Sequence, residues 1–140
     1  MPAEGRLRAW LAQARKDEAH ARYALEGGFH AHACYSAQQA VEKALKALLL
    51  RAGEAAGRTH SVVGLRRALS EASVTIPDDV LSLAEAQDMT RLNIETRYPL
   101  GDAEDAPFEL FGLEQADRAV AVAGRVLWFV EAVLSRQRDG

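Results

Sequence analysis

The sequence predicts an all-α protein, an antiparallel up-and-down bundle of four long helices and one short helix. Three observations carry that expectation. Apolar residues recur at three- and four-residue steps through nearly every segment, the period of a helix with one buried face. Glycine and proline fall at the joints between those segments. The one β-branched connector, Ser73 to Pro77, is too short to make a strand of its own. With 140 residues the chain is long enough to bury a core without staples, as a single domain over residues 1–140.

The first helix runs from about Ala3 to Glu26, with Leu7, Trp10, Leu11, Ala14, Ala21 and Leu25 on one face. Asp17 interrupts that face. A lone buried carboxylate is costly, so a cationic partner such as Lys43, Lys46 or Arg91 is expected. Gly27-Gly28 ends the helix. The second runs from about His30 to Ala52 and is the richest in strong helix formers. Cys34, Ala37, Val41, Ala44, Leu45 and Leu48 draw its apolar stripe, and Glu42 and Lys46 have the order of an exposed i,i+4 pair. Thr59-His60-Ser61 supplies hydroxyl caps for a short third helix carrying Val62, Leu65 and Leu69.

Pro77-Asp78-Asp79 reads as the start of the fourth helix, which then extends to about Arg97 before Pro99 forbids it. Leu100 to Gly112 reads as a loop, pinned to the core by Phe108 and Phe111. The last helix, about Leu113 to Arg136, has a near-heptad seam from Ala116 to Leu134. Trp128 and Phe129 lie off that seam and form a second apolar surface, suited to another subunit.

Composition excludes several classes. The net charge of −3 gives no general electrostatic case for nucleic acid. One cysteine forbids an internal disulfide, and no run reaches membrane-spanning length or makes a signal peptide. A soluble cytoplasmic protein without membrane attachment is expected. No metal site is expected either: His30 and His32 point apart, and Asp17-x-x-His20 is only one half of a di-metal pattern. No cofactor motif is present.

The run Tyr35-Ser36-Ala37-Gln38-Gln39-Ala40-Val41-Glu42-Lys43-Ala44-Leu45-Lys46-Ala47-Leu48, then Thr59-His60-Ser61, then Thr96-Arg97-Tyr98-Pro99, resembles the HEPN family of small helical-bundle proteins. Trp10, Ala14, Asp17 and Ala21 agree with that family's opening helix. The resemblance implies a homodimer, often encoded beside a small nucleotidyltransferase in a toxin–antitoxin-like pair. Many members resemble metal-independent ribonucleases with an Arg-x4–6-His motif, and members of such pairs often carry Arg-x4-His-x-Tyr. Here Arg91 and Tyr98 match that string, but Thr96 stands at the histidine. A threonine hydroxyl cannot accept a proton near neutral pH as an imidazole does.

The resemblance therefore implies binding of a nucleotide, RNA or the partner protein rather than cleavage. Its residues would be Arg91, Arg97, Tyr98, Lys43 and Lys46, supported by Asp17, Gln39, Glu42 and His60. Seven residues are nearly two helical turns, so Arg91 and Tyr98 would share a face if the helix persisted, opposite the Gln/Glu/Lys ridge of helix two. The alternative is a ribonuclease of the same fold whose base comes from elsewhere, such as His60. Against each functional role stands a structural one. Arg91 suits a surface pair with Glu95, Arg97 suits the end of a helix dipole, and Tyr98 suits a loop anchor. Glu42, Lys43 and Lys46 suit a solvated face, and His60 suits a helix start.

Overall fold

In a computed structural model, residues 2–99 and 104–139 are described, with side chains for 4–99 and 104–136. Six helices follow in order: α1 Pro2–Glu26, α2 His30–Arg51, α3 Val62–Glu71, α4 Leu83–Glu95, α5 Pro107–Leu110 and α6 Leu113–Asp139. The expected bundle is present, with a one-turn helix, α5, added inside the stretch read as loop. No helix among the described residues is long and apolar enough to cross a membrane.

α2 is the central element. Its stripe of Ala37, Val41, Ala44, Leu45 and Leu48 is fully buried, and α1, α3, α4, α5 and α6 all pack on it. Small residues dominate where α1 lies closest: Ala14, Ala21, Ala33 and Ala37 are wholly inaccessible. The leucines at the other end fill the wider space beside Leu65 and Leu69 of α3. The Cys34 thiol sits in the stripe. Burial pushes its pKa up to about 11, against the opposing charge of Arg118, so it is an inert hydrophobe.

The turns between elements are built alike. After α1, the Phe29 amide donates to the Ala24 carbonyl at 2.8 Å and the Gly28 amide to Leu25 at 3.2 Å, with Gly28 at φ 82°. After α2, Glu54 and Gly53 repeat that pattern on Leu49 and Leu50, with Gly53 at φ 86°. Both are Schellman motifs, which need a residue in left-handed backbone just past the helix. α3 ends the same way, with Val74 bonded to Leu69, but Ser73 holds the left-handed position at φ 66°.

α4 departs from expectation at both ends. Pro77 to Val80 forms a turn, closed by the Val80 and Leu81 amides on the Pro77 carbonyl. The helix starts at Ser82, whose hydroxyl accepts from the Glu85 amide while the Glu85 carboxylate accepts from the Ser82 amide. This reciprocal capping box satisfies two orphan donors and outweighs the proline and acid signals five residues earlier. At the other end α4 stops at Glu95 rather than Arg97.

α6 presents its seam as expected, with Ala116, Ala123, Val126 and Val130 buried. Phe129 packs against the core, whereas Trp128 is 74 % exposed. Phe111 joins the core edge, but Phe108 is 70 % exposed and pins nothing. Leu100, Gly101 and Asp102 of the expected loop lie outside the described residues.

Candidate functional site

The residues singled out from sequence separate into two regions. Arg91 lies on the outer side of α4, exposed, and pairs with Asp88 one turn earlier rather than with Glu95. It lines an open groove between α4 and α6 of about 460 Å³, with Met89, Leu92 and Phe111 as apolar floor. Arg118 and Arg125 line the same groove, but each meets a carboxylate, Glu114 and Glu85 respectively. Burial would raise the Glu85 carboxyl. The Ser82 amide and the Arg125 guanidinium outweigh it and hold that carboxyl below its ordinary value. The expected shared face of Arg91 and Tyr98 does not form, because α4 ends three residues before Tyr98 and the register is lost.

The second region is a polar strip along α2. Lys43 meets Asp17 of α1 at 2.6 Å, so the carboxylate that breaks the α1 stripe has its cation. Gln13 also donates to Asp17, at 3.0 Å. Glu42 and Lys46 are not the exposed pair that their spacing suggests: the two side chains are 2 % and 5 % exposed, 3.6 Å apart. Buried charges need several partners. Glu42 also accepts from Gln39 at 3.3 Å and meets His60 Nδ1 at 2.6 Å. Lys46 lies over the Trp10 ring, 5.1 Å from its centroid. Lys43 and Lys46 thus stand beside carboxylates and a tryptophan, not beside Arg91.

α4 meets this strip through its inner face. Gln39 donates to Asn93 Oδ1 at 3.4 Å, and Arg97 Nε donates to the Asn93 carbonyl at 2.8 Å. That bond draws the Arg97 guanidinium back over α2, where it lies 4.9 Å from the Tyr35 ring centroid and 5.1 Å from that of Tyr98. Among the described residues its terminal donors meet no acceptor and no carboxylate is paired with it. Tyr98 is 54 % exposed. Thr96 is turned inward: its hydroxyl donates to the Leu92 carbonyl at 2.6 Å, and the residue is buried. It caps its own helix and faces away from solvent.

His60 stands just before the Ser61 cap of α3, its ring 64 % exposed over the buried Glu42 carboxylate. A carboxylate at Nδ1 fixes the ring and leaves Nε2 toward solvent. Three residues of this strip were missed in the sequence as site residues: Trp10, Tyr35 and Asn93. Tyr35 carried a signal, since it lies one turn before Gln39 on the same ridge. Asn93 carried none.

A HEPN domain model matches residues 7–133. The chain belongs to the HEPN family. Three solved structures share the fold along nearly their whole length. TT1696 from Thermus thermophilus is 36% identical with a TM-score of 0.81, over 91% of this chain and 97% of that one. ST0689, an archaeal HEPN homologue, is 33% identical with a TM-score of 0.72, over 90% and 95%. A HEPN domain protein, tm0613 of Thermotoga maritima, is 32% identical with a TM-score of 0.70, over 91% and 98%. No curated protein matches the chain. Within this HEPN domain the arginine that faces the α2 ridge is Arg97, six residues after the one that the motif string selects.

Proposed function

We propose that this HEPN domain is a binding module that takes a nucleotide, or a nucleotide unit of RNA, at Arg97, Tyr35 and Tyr98. The observation that carries the proposal is the Arg97 guanidinium held against two tyrosine rings, its terminal donors meeting no acceptor among the described residues. A guanidinium grips phosphate bidentately, and an aromatic face accepts any base. The inward Thr96 hydroxyl supplies no proton acceptor, so catalysis at the motif position has no chemical support. The module acts as a homodimer with a small nucleotidyltransferase partner, in the toxin–antitoxin-like arrangement that HEPN membership suggests. Exposed Trp128 on α6 supports a surface for a second subunit.

Titration of a fluorescent adenine nucleotide followed by anisotropy tests the binding site. Arg97→Ala weakens binding about tenfold, the loss of one charge-assisted contact, and Arg91→Ala leaves it unchanged. The reverse pattern would return the site to the α4–α6 groove. Light scattering of the purified protein reads the dimer, and co-purification with the neighbouring gene product reads the partner.

One observation favours a second reading, a metal-independent ribonuclease. His60, oriented by Glu42, has the geometry of a proton acceptor supplied from outside the motif. RNA cleavage in chelator that disappears in His60→Ala would support it; intact RNA under those conditions excludes it.

A further inference from the structure

α4 ends against its own electrostatics. The carbonyl end of a helix carries negative potential, and basic side chains are favoured in its last turn. The last turn of α4 holds none, and its final residue is Glu95. The two arginines closest in sequence do not relieve it. Arg91, one turn back, is held by Asp88. Arg97, two residues on, is drawn over α2 by the Asn93 carbonyl and the Tyr35 ring. No cation among the described residues is paired with Glu95. An acid at the unfavourable end of a helix, without compensation nearby, breaks a local rule, and such breaks gather at functional positions. Glu95 is half-buried and lines the groove between α4 and α6, whose volume of about 460 Å³ lies in the range of small-molecule sites. Arg91, Arg118 and Arg125 line it too, yet each is answered by a carboxylate. Among the described residues, the charge in this groove that lacks a partner is therefore negative.

We infer that the α4–α6 groove is a second ligand site, which takes a small organic amine with an aromatic or apolar body. The ammonium pairs with Glu95 at the carbonyl end of α4, and the body lies on Met89, Leu92 and the Phe111 ring. An ammonium suits both kinds of partner: a carboxylate receives its N–H donors, and an aromatic face attracts its charge. A carboxylate of similar shape meets like charge there and is refused. This site is independent of the nucleotide site at Arg97, which faces α2 across α4.

The experiment titrates phenethylamine into isotope-labelled protein and follows the backbone amide resonances, with phenethyl alcohol and phenylacetate as controls of similar shape. The amine shifts the Leu92, Glu95 and Phe111 amides saturably. The alcohol binds about tenfold more weakly, for want of the charge-assisted contact, and phenylacetate does not bind. Glu95→Gln lowers amine affinity by about the same factor. It does not lower the melting temperature, because it removes an acid from the unfavourable helix end. Equal affinity for amine and alcohol, or for the parent chain and Glu95→Gln, overturns the inference. So does a groove that none of the three compounds enters. If light scattering then gives a dimer that Ala121→Arg, on the groove's exposed edge, dissociates, a second copy of the chain is the occupant instead. Each of these outcomes leaves the Arg97 site standing.

Discussion

The two faces of α4 carry arginines six residues apart with opposite fates. Arg91 faces α6 across a groove where every neighbouring cation already has a carboxylate. Arg97 sits past the helix end, is pulled back by the Asn93 carbonyl, and rests on tyrosine rings, with no acid paired to it among the described residues. The difference is one of commitment. An exposed ion pair spends an arginine's donors on a neighbour for little stability, whereas stacking orients the same group and leaves its fork free. Charge alone does not mark a ligand site; uncommitted, pre-oriented charge does.

The comparison extends to what lies beneath each arginine, and the largest expected effect is there. On the α2 face that Arg97 meets, Gln39 leads along the helix to the buried Glu42–Lys46 pair and His60. Glu42→Ala leaves an ammonium stranded at 5 % exposure and costs about 3–5 kcal/mol. Urea denaturation reads it directly. A loss below about 1 kcal/mol would mean that Lys46 escapes to water, and the strip would then be ordinary surface.

A smaller effect tests the motif position itself. Thr96→His restores the histidine of the family string at a site that is buried and faces Leu92. Overpacking there costs about 1–3 kcal/mol and creates no RNA cleavage. Cleavage appearing in this variant would show that position 96 opens toward solvent when a ring occupies it, and the two faces would no longer be distinct.

Next comes the start of α4, which fixes the register of both faces. Ser82→Ala removes the hydroxyl cap and costs about 1 kcal/mol. Glu85 adds a pH signature. Its carboxyl titrates below 4.5 in the folded chain because the Ser82 amide and Arg125 outweigh burial, so its contribution is complete above that unfolded value. It fades as pH falls through the lower folded value, and Glu85→Gln flattens that part of the stability profile. An unchanged acid limb would separate Glu85 from the capping box.

How much of this was legible follows from which forces are local. The bundle was readable because helical period and Gly joints are properties of neighbouring residues, and the Asp17–Lys43 pair followed from the cost of a lone carboxylate. The start of α4 is spelled by Ser82-Leu83-Ala84-Glu85 as a capping box, and Pro77-Asp78-Asp79 five residues earlier carries a competing start signal. Its end has no such spelling. Pro99 disfavours helix only at Tyr98, and nothing in Thr96 or Arg97 stops it earlier by propensity, yet those residues decide which arginine meets α2. Nor could Glu42 and Lys46 betray their burial, because an i,i+4 Glu–Lys pair looks alike in water and under a loop. The stack of Arg97 on Tyr35 joins positions far apart in the chain, and only tertiary packing creates it.

The smallest expected effect is the most direct check on the comparison. Arg91→Ala removes an exposed guanidinium whose one partner, Asp88, is itself largely exposed. Helix-surface pairs of this kind are worth about 0.2–0.5 kcal/mol, so the melting curve barely moves. Nucleotide affinity should not move at all, because the side chain lies across α4 from the Asn93 and Arg97 contacts with α2. Paired measurement with Arg97→Ala, whose stability loss is also modest, isolates function from folding. Should the two variants lose affinity together and by the same factor, the ligand must bridge both faces of α4. The division between committed and uncommitted arginines would then not decide where the ligand sits.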